Sequence, residues 1–188
     1  MISVVIPIKK ERNEYWSYLP RAINSVLRQT FEDFELTLAI YDNDVSQGRN
    51  AGIRKSQGEW ILTLDADDEL EPNFLEEVSK HFEYYDIIGT DATFLPSGRR
   101  FNAIPNTDFE VNNGILSCSI FKKDVWDKYN FNETIGGYED WDFWLKAKRN
   151  GFSFGSVNIP LVKIYERDTS RNKDAIKKHN ELLKQILK

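Results

Sequence analysis

The sequence predicts an α/β fold in which a mixed, mostly parallel central sheet is flanked by helices. Three observations carry this. The first 95 residues alternate strand-like runs with segments of helical periodicity. The runs Ile2–Ile8 and Trp60–Leu64 are apolar without alternation, the pattern of strands covered on both faces. Forty per cent of the 188 residues are hydrophobic and 13% aromatic, enough apolar material for one well-buried domain.

Taken in order, Ile2–Ile8 is the first strand. Tyr15–Gln29 follows as a helix, with Leu19, Ala22, Ile23, Val26 and Leu27 at helical spacing. Phe34–Tyr41 is the second strand. Ser46–Gln57 is a helix that Ser46 caps and Gly58 stops. Trp60–Leu64 is the third strand, Pro72–Tyr84 a helix with proline near its first turn, and Asp86–Gly89 a short strand. The second half is less regular. It reads as short strands at Ala92–Leu95 and Ile115–Ile120, a helix over Glu139–Arg149 ended by Gly151, and strands at Phe152–Val157 and Leu161–Tyr165. A helix follows from about Lys173.

In a sheet wound this way, right-handed crossovers bring the strand C-termini to one edge, where open α/β sheets bind ligands. The residues expected to meet there are Pro7–Lys10, Asp42–Asp44 and Asp65–Asp68.

Charge and composition exclude several classes. A net charge of −5 gives no overall basic footprint for nucleic acid. The single cysteine, Cys118, permits no intramolecular disulfide, and its apolar setting reads as a small buried hydrophobe. Ile2–Ile8 is too short, and lacks the basic flank, for a signal peptide. No stretch reaches the roughly 18 apolar residues of a membrane span. The expected setting is cytoplasmic, at most peripheral to a membrane.

Two acidic clusters carry the chemistry. Asp65, Asp67 and Asp68 stand at a strand end. If the chain stays extended, Asp65 and Asp67 point the same way and repel unless a cation lies between them. Mn²⁺ or Mg²⁺ would suit those oxygens and would take its remaining ligands from a diphosphate. The structural alternative is a solvated acidic turn before Pro72. In the second cluster, Gly136 and Gly137 lead into a helix whose first turn carries Glu139, Asp140 and Asp142. Carboxylates there suit the helix dipole, which is the structural reading. The rings of Trp141, Phe143 and Trp144 would also desolvate them and raise their basicity, which is the functional one.

The motifs in their order resemble the family 2 glycosyltransferases, which have the GT-A fold. The resemblance covers about Ile2 to Arg167. It runs through Val4-Val5-Ile6-Pro7, the helix from Leu19 to Phe31, Gly48-Arg49-Asn50-Ala51-Gly52-Ile53 and Gly58-Glu59-Trp60. It then reaches Asp65-Ala66-Asp67, similar to the metal-binding D-x-D motif, and Glu139-Asp140, similar to the E-D motif. The resemblance implies an inverting transfer from a nucleotide-sugar, most often a UDP-sugar, to an acceptor hydroxyl. Asp67 would bind the metal, and Asp65 the metal or the donor's ribose. Asp140 would be the base that takes the acceptor proton, and Glu139 and Trp141 would line the acceptor or sugar pocket. Arg49 would lie near the nucleotide or its diphosphate. Pro7, Ile8, Asp42 and Ala66 would shape the nucleotide-sugar site. The implied partners are a nucleotide-sugar donor and a glycan, lipid-linked or protein acceptor.

The chain also departs from the family pattern. Ile8-Lys9-Lys10 replaces small polar and aromatic residues, and Asp42-Asn43-Asp44 is out of register by about one residue. The segment before Arg49 is short enough to lack a strand and a helix. The family's late histidine is absent from Tyr165–Thr169, where Asp168 is the candidate substitute.

The expected organisation is therefore a glycosyltransferase domain over 1–170, with a nucleotide-binding half to about 95 and an acceptor half from 96. A C-terminal helix over 171–188 follows. That helix has six basic residues against two acidic ones and a partial apolar face, suited to an anionic membrane, to this domain or to a second copy. His179 falls on its solvated side and is given no chemistry. A non-catalytic sugar-nucleotide or glycan-binding module is the competing reading. A phosphotransferase using Asp65 is disfavoured, because its motif belongs on a first strand.

Overall fold

The structure, a computed structural model, describes residues 1–166 and 178–187. Asp168 and the start of the basic C-terminal segment lie outside the described residues. Eight strands form one mixed sheet: β1 (Ile2–Lys9), β2 (Phe34–Tyr41), β3 (Trp60–Thr63), β4 (Glu69–Leu70), β5 (Ile87–Leu95), β6 (Arg100–Phe101), β7 (Ile120–Lys122) and β8 (Phe154–Tyr165). The described helices are α1 (Asn13–Leu27), α2 (Val45–Lys55), α3 (Phe74–Ser79), α4 (Lys123–Tyr129), α5 (Glu139–Arg149) and α6 (His179–Ile186).

The strand order is β2-β1-β3-β7-β5-β8-β4, with β6 attached to β5. β2, β1 and β3 are parallel, as are β5 and β8. β7 runs antiparallel between the two groups and joins them. β1 shows why its run is almost wholly apolar, Ser3 being the buried exception. Ile2, Val4, Ile6 and Ile8 pack with Leu19, Ala22 and Val26 of α1 on one face. Val5 packs on the other face with Ile53 of α2 and with Phe143 and Trp144 of α5. Period-two alternation therefore feeds two cores, one on each side of the sheet.

α2 lies unusually close to β1 and β2. A Cβ on Gly52 would fall 2.3 Å from Val5 Cγ1, and one on Gly48 would fall 2.6 Å from Tyr41 Cδ1. Glycines four apart on one helix face let this helix approach the sheet. That approach buries Arg49, which stands between them in sequence.

Several elements differ from the sequence expectation. Asp44, not Ser46, caps α2: its Oδ1 accepts from the Ser46 amide at 2.9 Å. α2 ends at Lys55, and Gly58 is small because it lies against Ser3, not because it stops the helix. α3 has six residues, and the chain continues to Tyr84 in i→i+3 turns such as His81 N to Val78 O. The two short strands expected between Asp86 and Leu95 are one strand, and so are the two expected beyond Phe152. The gaps between them mark irregular pairing at Asp91, opposite Pro160, which has no N–H to give the ladder. The strand expected over Ile115–Ile120 begins only at Ile120, after a turn closed by Ser119 N to Leu116 O. The two-residue β4 and the whole of α4 were not expected.

No described helix is long and apolar enough to cross a membrane. α6 spends its apolar face on the domain itself, with Leu182 and Ile186 buried in the α5-side core.

Candidate functional site

The first half of the site is a turn. β3 ends at Thr63, and the Leu64 amide still donates to Val5 O. The chain then reverses through Asp65–Asp68, closed by Asp68 N to Asp65 O at 3.0 Å. The extended run expected from sequence is therefore replaced by a β-turn, and it is this turn that gathers the carboxylates. Oxygens of Asp65, Asp67 and Asp68 lie within 4.8 Å of one another. Buried Ala66 anchors the turn in the core. β4 returns the chain to the sheet by pairing with β8. Arg21 of α1 donates to Asp67 O at 2.6 Å while its guanidinium sits 3.4 Å over the Tyr165 ring. The Tyr165 amide donates to Asp68 Oδ1 at 3.1 Å. An all-oxygen set on a turn held from two sides fits Mg²⁺ or Mn²⁺.

The second half is the start of α5. Gly136 (φ 70°) and Tyr138 (φ 58°) take left-handed backbone and aim the helix N-terminus at the cleft. The acids of this first turn divide. Asp142 is buried and bound by Lys146 at 2.6 Å, a structural pair. Glu139 is buried and accepts from Arg49 at 2.9 Å. Asp140 lines the cleft, where Asn113 Nδ2 donates to its Oδ2 at 3.1 Å. Burial pushes the Asp140 carboxyl up to about 6, and the charge of Glu139 adds to the rise. Arg49, the Trp141 amide and Asn113 pull the other way.

Arg49 joins the two halves. Only 2% of its side chain is exposed, and it donates to Asp65 Oδ1 at 3.0 Å as well as to Glu139. Burial opposes its charge, but Asp65 and Glu139 outweigh burial and hold the guanidinium above its usual range. The arginine expected near the nucleotide or its diphosphate thus lines the cleft and bridges the two acid motifs.

The other expected residues divide similarly. Pro7, Ala66 and Asp65 line the cleft, which encloses about 190 Å³. Ile8 is buried in the core. Asp42 is exposed and pairs with Lys10 at 3.8 Å, while Tyr41 takes the place beside the cleft. Trp141 is 5% exposed and its indole N–H donates to Phe109 O, so its ring is core, not pocket wall. Burial also pushes the Cys118 thiol up, as befits a packing residue. A larger, shallower hollow of about 460 Å³ adjoins at Tyr165. Among the described residues its one lining carboxylate is Glu166, whereas the smaller cleft gathers Asp65, Asp67, Asp68, Glu139 and Asp140.

The profile of glycosyl transferase family 2 matches residues 41–138, just over half of the chain and the stretch that holds the acid turn and its arginine. The chain belongs to glycosyl transferase family 2. Among family relatives, an uncharacterized glycosyltransferase of Bacillus subtilis, YwdF, is 27% identical over 62% of this chain and 50% of its own length. MJ1057 of Methanocaldococcus jannaschii, also an uncharacterized glycosyltransferase, is 23% identical over 80% of this chain and 67% of its own. The chain thus spans about half the length of the first relative and two thirds of the second. In three dimensions S. aureus TarS 1–349 superposes with a TM-score of 0.76 at 16% identity, covering 98% of this chain and 64% of TarS. TarS has also been solved with UDP and with UDP-GlcNAc. The shared fold is the GT-A fold.

Sequence reasoning missed Asn113, Arg21 and Tyr138. Asn113 and Arg21 lie 27 and 46 residues from the groups they hold, so no local pattern marks them. For Tyr138 a signal existed: two glycines before a helix announce unusual backbone, and the residue after them inherits it.

Proposed function

We propose that this chain transfers a sugar from a UDP-sugar to an acceptor hydroxyl by a single displacement with inversion. The observation that carries the reading is the arrangement of one cleft. A three-carboxylate turn stands on one side, a carboxyl with its pKa raised to about 6 on the other, and a buried arginine ties the two together.

Asp65 and Asp67 would hold a divalent ion, Mn²⁺ or Mg²⁺, with Asp68 beside them. When bound, that ion neutralises the charge growing on the departing diphosphate. Pro7, Lys9 and Tyr41 form the wall on the side of the β1 and β2 C-termini, where the nucleoside would lie. The complexes of TarS with UDP and UDP-GlcNAc support a uridine nucleotide for this fold. Asp140 accepts the acceptor hydroxyl proton as the oxygen attacks the anomeric carbon opposite the diphosphate. A base with a pKa near 6 is ionised at neutral pH yet more basic than an ordinary aspartate. Glu139 acts through Arg49, setting the helix start relative to the acid turn.

Titration calorimetry with UDP tests the donor half. UDP should bind at least about tenfold more tightly with Mn²⁺ than with EDTA, and Asp67→Ala should abolish that difference. Metal-independent binding, or no binding by the wild type, would contradict the assignment. Metal-dependent binding with no sugar release from any UDP-sugar would leave a sugar-nucleotide-binding module instead.

A further inference from the structure

α6 lies outside the region matched by the family profile, and its exposed residues take no part in the cleft chemistry proposed above. Its first residue, His179, touches a residue of the cleft lining, Tyr138. His179 Nδ1 lies 3.0 Å from the Tyr138 hydroxyl, a hydrogen bond across 41 residues of chain. The rings of Tyr138, Trp141 and His179 form a mutual cluster, with Tyr138 5.2 Å from Trp141 and 5.8 Å from His179 between centroids and 6.4 Å between the other two. Tyr138 itself lines the cleft and immediately precedes Glu139 and Asp140.

The backbone of Tyr138 makes this contact matter. It is one of two non-glycine residues with positive φ among those described, and it sits at the N-cap of α5. Left-handed backbone costs a residue with a Cβ roughly 1–2 kcal/mol and persists only where its surroundings hold it. The cap has no side-chain hydrogen bond of its own. The restraints visible are the Tyr138 ring contacts, its hydroxyl bond to His179 and the bond from Asp142 N to Tyr138 O at 2.8 Å. Burial, with the charge of Asp140 beside it, raises the Tyr138 pKa and keeps the hydroxyl protonated. The helix that presents His179 is anchored by Leu182 and Ile186 in the same core as Trp141.

We propose that His179 is a positioning residue. By holding Tyr138 it fixes the left-handed turn that sets Asp140 over the cleft, so the C-terminal helix is a working part of the active site. The catalytic consequence rests on the transfer reading above; the structural one does not.

The test compares wild type, His179→Ala and His179→Asn by two readouts. Asparagine carries a polar atom where the imidazole has Nδ1, so it can keep the bond, and His179 is exposed enough for either variant to fold. The first readout is amide hydrogen exchange. In His179→Ala the Asp142 amide, which rests on Tyr138 O, should exchange about fivefold to tenfold faster, matching the loss of one hydrogen bond. Amides of β1 should be unchanged, and His179→Asn should recover most of the protection. The second readout is release of UDP from UDP-GlcNAc with Mn²⁺. His179→Ala should lower kcat about fivefold at unchanged KM, with recovery in His179→Asn. Unchanged Asp142 exchange in His179→Ala would overturn the proposal whatever the activity. Changed exchange with unchanged kcat would overturn its catalytic part while transfer stands. A wild type that neither binds nor cleaves a UDP-sugar would instead sink the transfer reading, and the exchange result would still decide the latch.

Discussion

Asp140→Asn should reduce sugar transfer by about a thousandfold, within the range expected for loss of a general base, while UDP binding in the presence of Mn²⁺ stays within about twofold. It should also make the protein more stable at pH 7. The folded chain holds the Asp140 proton up to about pH 6, whereas an ordinary aspartate releases it near 4. Keeping that carboxylate ionised in the fold therefore costs stability. The cost is absent below about pH 4, grows as pH rises towards 6, and is complete above it. Two pH units of displacement correspond to roughly 2–3 kcal/mol, which the neutral amide escapes. Calorimetric melting at pH 4 and pH 7 checks this: the variant should gain at pH 7 and match the wild type at pH 4. The same titration fixes the rate, since kcat should fall as pH drops through about 6. Activity in Asp140→Asn within tenfold of wild type would remove Asp140 from the mechanism.

Arg49→Met should have the largest effect on folding. The arginine is enclosed, and its loss leaves buried Glu139 facing Asp65 with no cation between them. Breaking a buried ion pair from one side costs about 3–5 kcal/mol. Urea unfolding should report a loss of that size at pH 7. The loss should shrink in acid, where the stranded carboxylates take up protons. Arg49→Lys should recover little, because one ammonium cannot replace a guanidinium that gives Nη1 to Glu139 and Nη2 to Asp65. The variant should also weaken Mn²⁺-dependent UDP binding, since Arg49 is what fixes the acid turn against α5. A change below 1 kcal/mol would mean that the two acid motifs hold their places without it.

The sequence reading succeeded where the determining forces were local. The mostly apolar runs Ile2–Ile8 and Trp60–Leu64 marked the paired interior strands β1 and β3, because strands buried on both faces show no polar alternation. Acids at the end of β3 and a glycine pair before α5 marked both halves of the cleft. What the sequence concealed depends on pairing between distant segments. β4 is two residues long and exists only because β8 accepts it. The family resemblance put Arg49 near the nucleotide or its diphosphate, and it does line the cleft, but no local pattern marked it as the buried bridge between the acid motifs. Its enclosure follows from Gly48 and Gly52 drawing α2 onto the sheet, a closeness visible only with Val5 and Tyr41 in place. Trp141 looked like a sugar platform until Phe109 O claimed its N–H. His179 looked solvated, and it is exposed, yet it bonds to the residue that opens the acid helix.

The most direct test of the transfer mechanism is the anomer first released from an α-linked UDP-sugar. Early proton NMR spectra of UDP-GlcNAc, UDP-glucose and UDP-galactose, each with the protein and Mn²⁺, would show it before mutarotation. Water attacking from the Asp140 side, opposite the diphosphate, should give the β-anomer first from at least one donor, with the signal lost in Asp140→Asn and in EDTA. Release of the α-anomer first, or release at the wild-type rate from Asp140→Asn, would contradict a single displacement driven by Asp140.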